Sequence, residues 1–373
     1  MLEVPFQSIC DGTEREKTRL FLLCRETEGP GGSVRPDQKW TFTHGSIDAS
    51  GEKYDLWAAR DHFAVIEPDR RSFLKAAVVG AAGASLSTRA WARSEEPITT
   101  IALADGVVQI TAAGGNVVAL TGSDGILLVD SGLEDRSGAL LNTVRRLPGG
   151  REIHTLINTH WHWDHTGGNE RLGKDKVKIL AHENTRLWLG ADFYCDWQNN
   201  KHYTPRPKAA WPTETFYNSG KLAANGEEVV YGYLPRAHTD GDVYVFFAKA
   251  NVLVAGGLMS AGSYPVLDYT TGGWIGGMAD ASKALLDVAN PDTKIVPGVG
   301  PVQTYADLKA QADMLATMRE RLVDLMRQGI GTDDLAADPP TKEFNARWGN
   351  PQLFLANAYR GLWGHVRELG KIV

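Results

Sequence analysis

The chain has 373 residues, enough for one large catalytic domain or two ordinary ones, and its 43% hydrophobic and 23% charged residues are those of a soluble globular protein. The formal net charge is −6 with Lys and Arg scattered, which argues against nucleic acid or an anionic membrane as a partner. Cys10, Cys24 and Cys195 lack the spacing of a metal knuckle and leave no disulfide framework for a mature protein.

Residues 1–64 are mixed and aperiodic, as in GPGGSVRPDQ and GSIDASGEKYD, and are not expected to form a packed domain. Within residues 65–92, Arg70 and Arg71 precede Phe73, Leu74 and Lys75. A mild Ala/Gly-rich apolar run follows and ends in Ala90-Trp91-Ala92, a small-x-small cleavage pattern. The segment resembles a twin-arginine signal peptide, which implies the twin-arginine export machinery as a partner and a periplasmic or exported location. Its apolar run of about a dozen residues is shorter than the ~20 that span a bilayer, so no stable membrane insertion is expected. No methionine lies between Met1 and Met259, whereas Val65 suits a GTG start codon. Residues 1–64 are therefore expected to precede the true start of translation.

From residue 98 the pattern becomes strand–turn–strand. Val117–Leu120 and Ile126–Val129 are apolar runs joined by Ser123-Asp124-Gly125, a hairpin signal. A helix is expected from Glu134 to Leu147, closed by Pro148-Gly149-Gly150, and then a short strand at Ile153–Ile157. Further strands fit Val177–Leu180, Glu228–Tyr233, Val243–Phe247 and Val252–Ala255, and helices fit Ala279–Val288 and Ala306–Gln328. This interspersion indicates an α/β class with helices covering sheets. Residues 190–225 read as a long connection rich in aromatics, among them Phe193, Tyr194, Trp197, Tyr203 and Trp211. It is either a substrate-facing lid or a loop packed on the domain surface.

The central signal is the run Thr159-His160-Trp161-His162-Trp163-Asp164-His165-Thr166-Gly167-Gly168-Asn169, directly after an apolar strand. Alternate residues on an extended segment point the same way, so His160 and His162 can converge on one ion. Neutral imidazoles are common zinc ligands, and a catalytic zinc takes three protein ligands and keeps one position open. The two glycines are expected to let the backbone turn tightly into a helix.

The H-x-H-x-D-H arrangement resembles the metallo-β-lactamase superfamily over roughly residues 105–300. The resemblance implies an αββα sandwich over 98–302, with residues 303–373 as a C-terminal helical extension or cap. Packing, dimerisation and substrate binding all remain open as roles for that cap. The resemblance also assigns His160 and His162 to a first metal, and Asp164 and His165 to a second. It names His238, in Arg236-Ala237-His238-Thr239-Asp240, as the third ligand of the first. Asp130 is matched to a family aspartate that braces the histidine loop, although a turn-forming Asp explains it equally well.

Two positions depart from the family pattern. Gly257 stands where a bridging aspartate is usual, in Val252-Leu253-Val254-Ala255-Gly256-Gly257, and Val299 stands where a P-G-H-G-P histidine is usual. Neither side chain can bind a cation. A second ion held by Asp164 and His165 alone should be weak or absent, leaving one zinc, and replacing both residues by Asp and His should raise metal content toward two. Ser260, Asp268 and His182 are possible replacement ligands, each more readily structural. The expected function is zinc-dependent hydrolysis through a metal-bound hydroxide, with Asp164 orienting water or acting as general base. The expected partner is a small-molecule carbonyl substrate: a lactam, lactone, ester or thioester. The alternative is a catalytically impaired metal- or ligand-binding member of the same fold.

Overall fold

The computed structural model describes residues 96–149 and 152–365. The twin-arginine segment and the 1–64 extension lie outside them. In chain order the strands are β1 Thr99–Ala104, β2 Val107–Ala113, β3 Gly115–Leu120, β4 Ile126–Val129, β5 Ile153–Ile157, β6 Lys178–His182, β7 Phe193–Cys195, β8 Lys201–Tyr203, β9 Glu214–Phe216, β10 Ser219–Ala224, β11 Glu227–Tyr233, β12 Val243–Phe247, β13 Val252–Gly256 and β14 Lys294–Pro297. They form a seven-stranded sheet in the order β1-β2-β3-β4-β5-β6-β9, a five-stranded sheet in the order β10-β11-β12-β13-β14, and the separate hairpin β7-β8.

Strand alternation decides which residues face which layer. In β3 and β4, Val118, Leu120, Leu127 and Val129 face the second sheet, where they meet Val229, Val243, Val245, Phe247 and Val254. The intervening Val117, Ala119, Ile126 and Leu128 face outward onto Leu140, Leu141 and Val144 of helix α1, Ser137–Val144. On the far side of the second sheet, Leu253, Ala255 and Ile295 pack beneath helix α2 (Ile275–Val288), helix α3 (Tyr305–Arg327) and the C-terminal helix α4 (Gln352–Gly364). Helix, sheet, sheet and helix are thus stacked in that order. Because both faces of each sheet are covered, β4 and β13 read as unbroken apolar runs.

The 303–373 region is helical as far as it is described, and it packs inward. A capping box at Thr304 and Asp307 starts α3. Phe354, Leu355, Ala358 and Leu362 of α4 are buried against the layer that carries Leu267 and Trp274. The Asn357 side-chain amide donates to the Leu267 carbonyl at 3.0 Å, tying α4 to the loop that precedes residue 268. The long 190–225 connection is not bare loop, since it holds the β7-β8 hairpin, β9 at the edge of the first sheet and β10 at the edge of the second.

Candidate metal centre

Strand β5 ends at Ile157, the chain bends through residues 159–161, and His162, with φ of −54° and ψ of 144°, leads into a four-residue helical turn, Trp163–Thr166. The expected reason for Gly167 and Gly168 needs correction. Their φ values of −60° and −79° are ordinary helical ones, so no unusual turn requires glycine. A Cβ on Gly167 would instead lie 2.3 Å from the Glu134 nitrogen, and one on Gly168 would lie 2.6 Å from the Ser131 oxygen. The glycines allow the histidine loop to press against residues 131–134.

That neighbouring loop carries Asp130, a buried residue with φ of +64°. Asp tolerates this left-handed conformation better than most residues. The turn aims its carboxylate under the histidines. Oδ1 accepts from the Thr159 backbone N–H at 2.8 Å, and Oδ2 accepts from the Thr159 hydroxyl and from His165 Nδ1, both at 2.7 Å.

His160, His162 and His238 come together from residues 78 positions apart. Their ring centroids lie 4.7–4.8 Å from one another, with the planes nearly perpendicular. One nitrogen from each ring lies within 4.8 Å of the others. Among the described residues this is the only group of three or more His, Cys, Asp or Glu so gathered. The outward nitrogens fix the tautomers. His162 Nε2 donates to Asp268 Oδ2 at 2.9 Å, and His238 Nδ1 donates to the Val266 carbonyl at 2.7 Å. The Thr159 hydroxyl gives its proton to Asp130, so at 3.0 Å it accepts one from His160 Nδ1. Each proton therefore sits on the outside, and three bare lone pairs face inward. His162 Nδ1 and His238 Nε2 oppose each other at 3.0 Å, a contact that a shared cation relieves. A tetrahedral zinc with Zn–N of about 2.0–2.1 Å sets its nitrogens about 3.3 Å apart, close to this spacing. The donor set fits a zinc ion. Burial, followed by the neighbouring imidazoles, holds His160 well below the ordinary histidine range, and burial with His162 beside it brings His238 to about 4, so both remain neutral as ligands must.

Asp164 and His165 are placed differently. His165 Nδ1 is bonded to Asp130, and its Nε2 lies 3.4 Å from Asp164 Oδ2. Burial works against a charged ring there, but Asp164 and Asp130 overcome it and raise His165 to about 10. Burial also opposes the Asp164 charge, yet His165 holds its carboxyl far below the usual range. The two are an ion pair with each other. Virtual Cβ atoms on Gly115 and Gly298 would lie 2.6 and 3.2 Å from His165 Cε1, so two glycines wall the ring in. Val299 is 42% exposed and so lies largely open to solvent. A Cβ on Gly257 would lie 2.2 Å from His238 Cδ2, so the His238 imidazole fills the space that a side chain at 257 would need.

The three replacement candidates serve other ends. Asp268 binds the outer nitrogen of His162. His182 Nδ1 accepts from the Asn184 N–H at 3.2 Å, and the ring stacks on Tyr233 at 3.8 Å. Ser260 donates its backbone N–H to Gln311. The supporting roles of Asp268 and Thr159 escape sequence reading. Thr159 is flagged only by its place beside the motif, and Asp268 is singled out by the sequence only as a possible replacement ligand, not as the outer partner of a histidine 106 positions away.

An aromatic cluster adjoins the histidines. Trp161 is fully buried, and its indole donates to the Thr271 hydroxyl at 3.0 Å. Trp163, Trp188, Phe193 and Trp197 pack around it with Cys195 and Tyr203. The Lys201 ammonium lies 5.2 Å from the Trp163 ring centre and 4.5 Å from that of Tyr203.

Solved structures similar to parts of this chain are known. A metallo-beta-lactamase from Pontibacter korlensis is 20% identical, with 59% of this chain and 99% of that one covered at a TM-score of 0.47. The stereoselective inverting sec-alkylsulfatase Pisa1 from Pseudomonas sp. is 16% identical over 73% of this chain, at a TM-score of 0.56, and this chain spans about half (51%) of its length. At that identity the likeness to the alkylsulfatase concerns the fold alone. Residues 110–300, just over half of the 373, match the metallo-beta-lactamase superfamily, and that stretch runs from β2 through the histidine loop and His238 to the end of β14. On a match of that extent, the chain belongs to the metallo-β-lactamase superfamily of metallo-hydrolases.

Proposed function

We propose that this chain is a zinc-dependent hydrolase working with a single metal ion on a small carbonyl substrate: a lactam, lactone, ester or thioester. The observation that carries the reading is the tautomer arrangement, in which Asp268, Val266 and Thr159 hold every ring proton outward and leave three lone pairs converging. A bound zinc supplies Lewis acidity there and lowers the pKa of a water to about 7. The protein's own residues bind and orient. His160, His162 and His238 hold the ion as neutral ligands. Asp164, with its side chain 32% exposed beside the cluster, is the acceptor that orients an attacking water. Trp197 stands beside the ligands, its ring centre 6.4 Å from that of His162.

The single-ion reading is supported by how Asp164 and His165 are engaged. They face each other, and the second nitrogen of His165 is already taken by Asp130. No helix among the described residues is long and apolar enough to cross a membrane. The twin-arginine motif at Arg70 and Arg71 supports export to the periplasm of a chain that folds around its metal first.

Metal analysis of the purified chain, joined to a screen of lactams, lactones, esters and thioesters, tests the proposal. About one zinc per chain is expected, with turnover that vanishes in His160→Ala. Less than about half an equivalent of bound zinc overturns the reading. The loss of side-chain ligands at Gly257 and Val299 favours a second reading, a metal- or ligand-binding protein without catalysis. Full zinc occupancy with no turnover across the screen selects it.

A further inference from the structure

The Asp268 carboxylate is the point where the inserted hairpin meets the metal centre. Asp268 is completely buried. Its Oδ2 accepts from His162 Nε2 at 2.9 Å and from the Thr271 hydroxyl at 2.7 Å. Its Oδ1 accepts from the Trp197 indole N–H at 2.7 Å, and otherwise only from the Thr271 backbone N–H at a long 3.4 Å. Trp197 lies in the turn that joins β7 to β8, with its ring centre 6.4 Å from that of His162. A second set of bonds fastens the same turn. Asp196 accepts from the Tyr269 hydroxyl at 2.5 Å and the Thr270 hydroxyl at 2.9 Å, and Arg360 of α4 donates to the Tyr269 oxygen at 2.7 Å.

We propose that Trp197 is a positioning residue for the ligand His162, through its indole N–H on Asp268, which makes the β7-β8 hairpin part of the metal centre. The proposal rests on the reading that His162 binds a metal. A buried carboxylate needs good donors on both oxygens. Without the indole N–H, Oδ1 keeps only the long backbone contact. The carboxylate then swings toward whatever donor remains, and Oδ2 leaves the line of His162 Nε2. The imidazole loses both its fixed tautomer and its fixed direction, the two properties that an outer carboxylate confers on a ligating histidine.

The test is zinc affinity of the whole chain by competition with a chromophoric chelator, read without any substrate. Trp197→Phe keeps the ring and removes the donor. Zinc binding about tenfold weaker is expected, at the lower end of what loss of an outer partner costs. Trp197→Gln removes the ring but keeps an N–H at nearly the same reach. It should stay closer to wild type than Trp197→Phe does. Trp188→Phe is the control, because its indole donates at 2.7 Å to Asp240 rather than to Asp268. It should bind zinc as the wild type does. Wild-type affinity in Trp197→Phe overturns the proposal, as does an equal or greater loss in Trp197→Gln or in Trp188→Phe. If Trp197→Phe does not fold, Trp197→Gln decides alone, with a loss above about threefold counting against the proposal. Failure of the wild type itself to bind zinc would instead overturn the reading of the site.

Discussion

Replacing Gly257 by alanine puts one methyl group against the His238 imidazole, a proposed metal ligand. The new Cβ would lie 2.2 Å from Cδ2, 2.6 Å from Cγ and 2.8 Å from Nε2 of His238. Ordinary contact begins near 3.4 Å, so the ring or the strand end must retreat by about 1.2 Å. The ring has little freedom, because its Nδ1 is tied to the Val266 carbonyl at 2.7 Å and its Nε2 faces His162 at 3.0 Å. Metal–ligand distances tolerate only about ±0.2 Å, so a shift of that size removes His238 as a ligand. Zinc affinity should fall by at least about 100-fold, beyond what loss of an outer partner costs. The apo protein should lose about 1–3 kcal/mol through overpacking. Chelator competition reads the first quantity and thermal unfolding of the apo protein the second. Gly138→Ala is the control, since a Cβ there meets nothing within 4 Å and the site lies in helix α1. It should leave zinc binding alone and add up to about 1 kcal/mol of stability. Wild-type zinc affinity in Gly257→Ala would refute the placement of His238. Aspartate at 257 brings the same Cβ, so Gly257→Asp with Val299→His is not expected to build a second metal site.

Asp130→Ala should cost about 3–5 kcal/mol of stability by denaturant unfolding, because it leaves His165 buried without the carboxylate on its Nδ1; a loss under about 1 kcal/mol would count against that role. Cys195 is fully buried, and burial, with the Asp268 charge next, pushes its thiol up to about 12. The raised value favours the neutral thiol throughout the neutral range. Iodoacetamide labelling of the Cys195 peptide should therefore stay low and flat from about pH 7 to pH 9, where an ordinary thiol of pKa about 8.5 accelerates. Protein recovered from the periplasm of an expressing cell should begin at Arg93, just after Ala92; an intact leader on the exported chain would refute the twin-arginine reading.

The sequence made strands legible where burial on both faces leaves an uninterrupted apolar run, as in β4 and β13. It misread the start of helix α2, which begins at Ile275 rather than Ala279. Glycines lower helix propensity, yet Gly277 brings the helix so near the chain at Arg236 that a Cβ would meet its carbonyl oxygen at 2.1 Å. The expected helix at 134–147 is observed as 137–144, and at its N-terminal side residues 131–134 are held against the histidine loop. The short strands of the aromatic insert were hidden, since three-residue pairings are fixed by tertiary contacts rather than by periodicity. Within the site, the motif announced which residues gather but not how they are held. The acceptors on the outer nitrogens come from Thr159, Val266 and Asp268, and no spacing rule links them to the histidines.

The two departures from the family pattern have a common physical logic. Without a side chain at 257, the His238 imidazole occupies the position beside Gly256 and Gly257 and closes the first site against His162. Without a histidine at 299, the Pro297–Gly300 loop is fastened by Asn116, whose side-chain amide donates to the Pro297 and Gly300 carbonyls at 2.8 Å each, and Gly298 comes down on the His165 ring. His165 then finds Asp130 on one nitrogen and Asp164 on the other, so its positive charge stands between two carboxylates. A second divalent ion would have to displace that charge from a space bounded by two glycine backbones. This engagement of His165 supports the proposed single-ion reading, as the outward acceptors on the three converging histidines support a first ion.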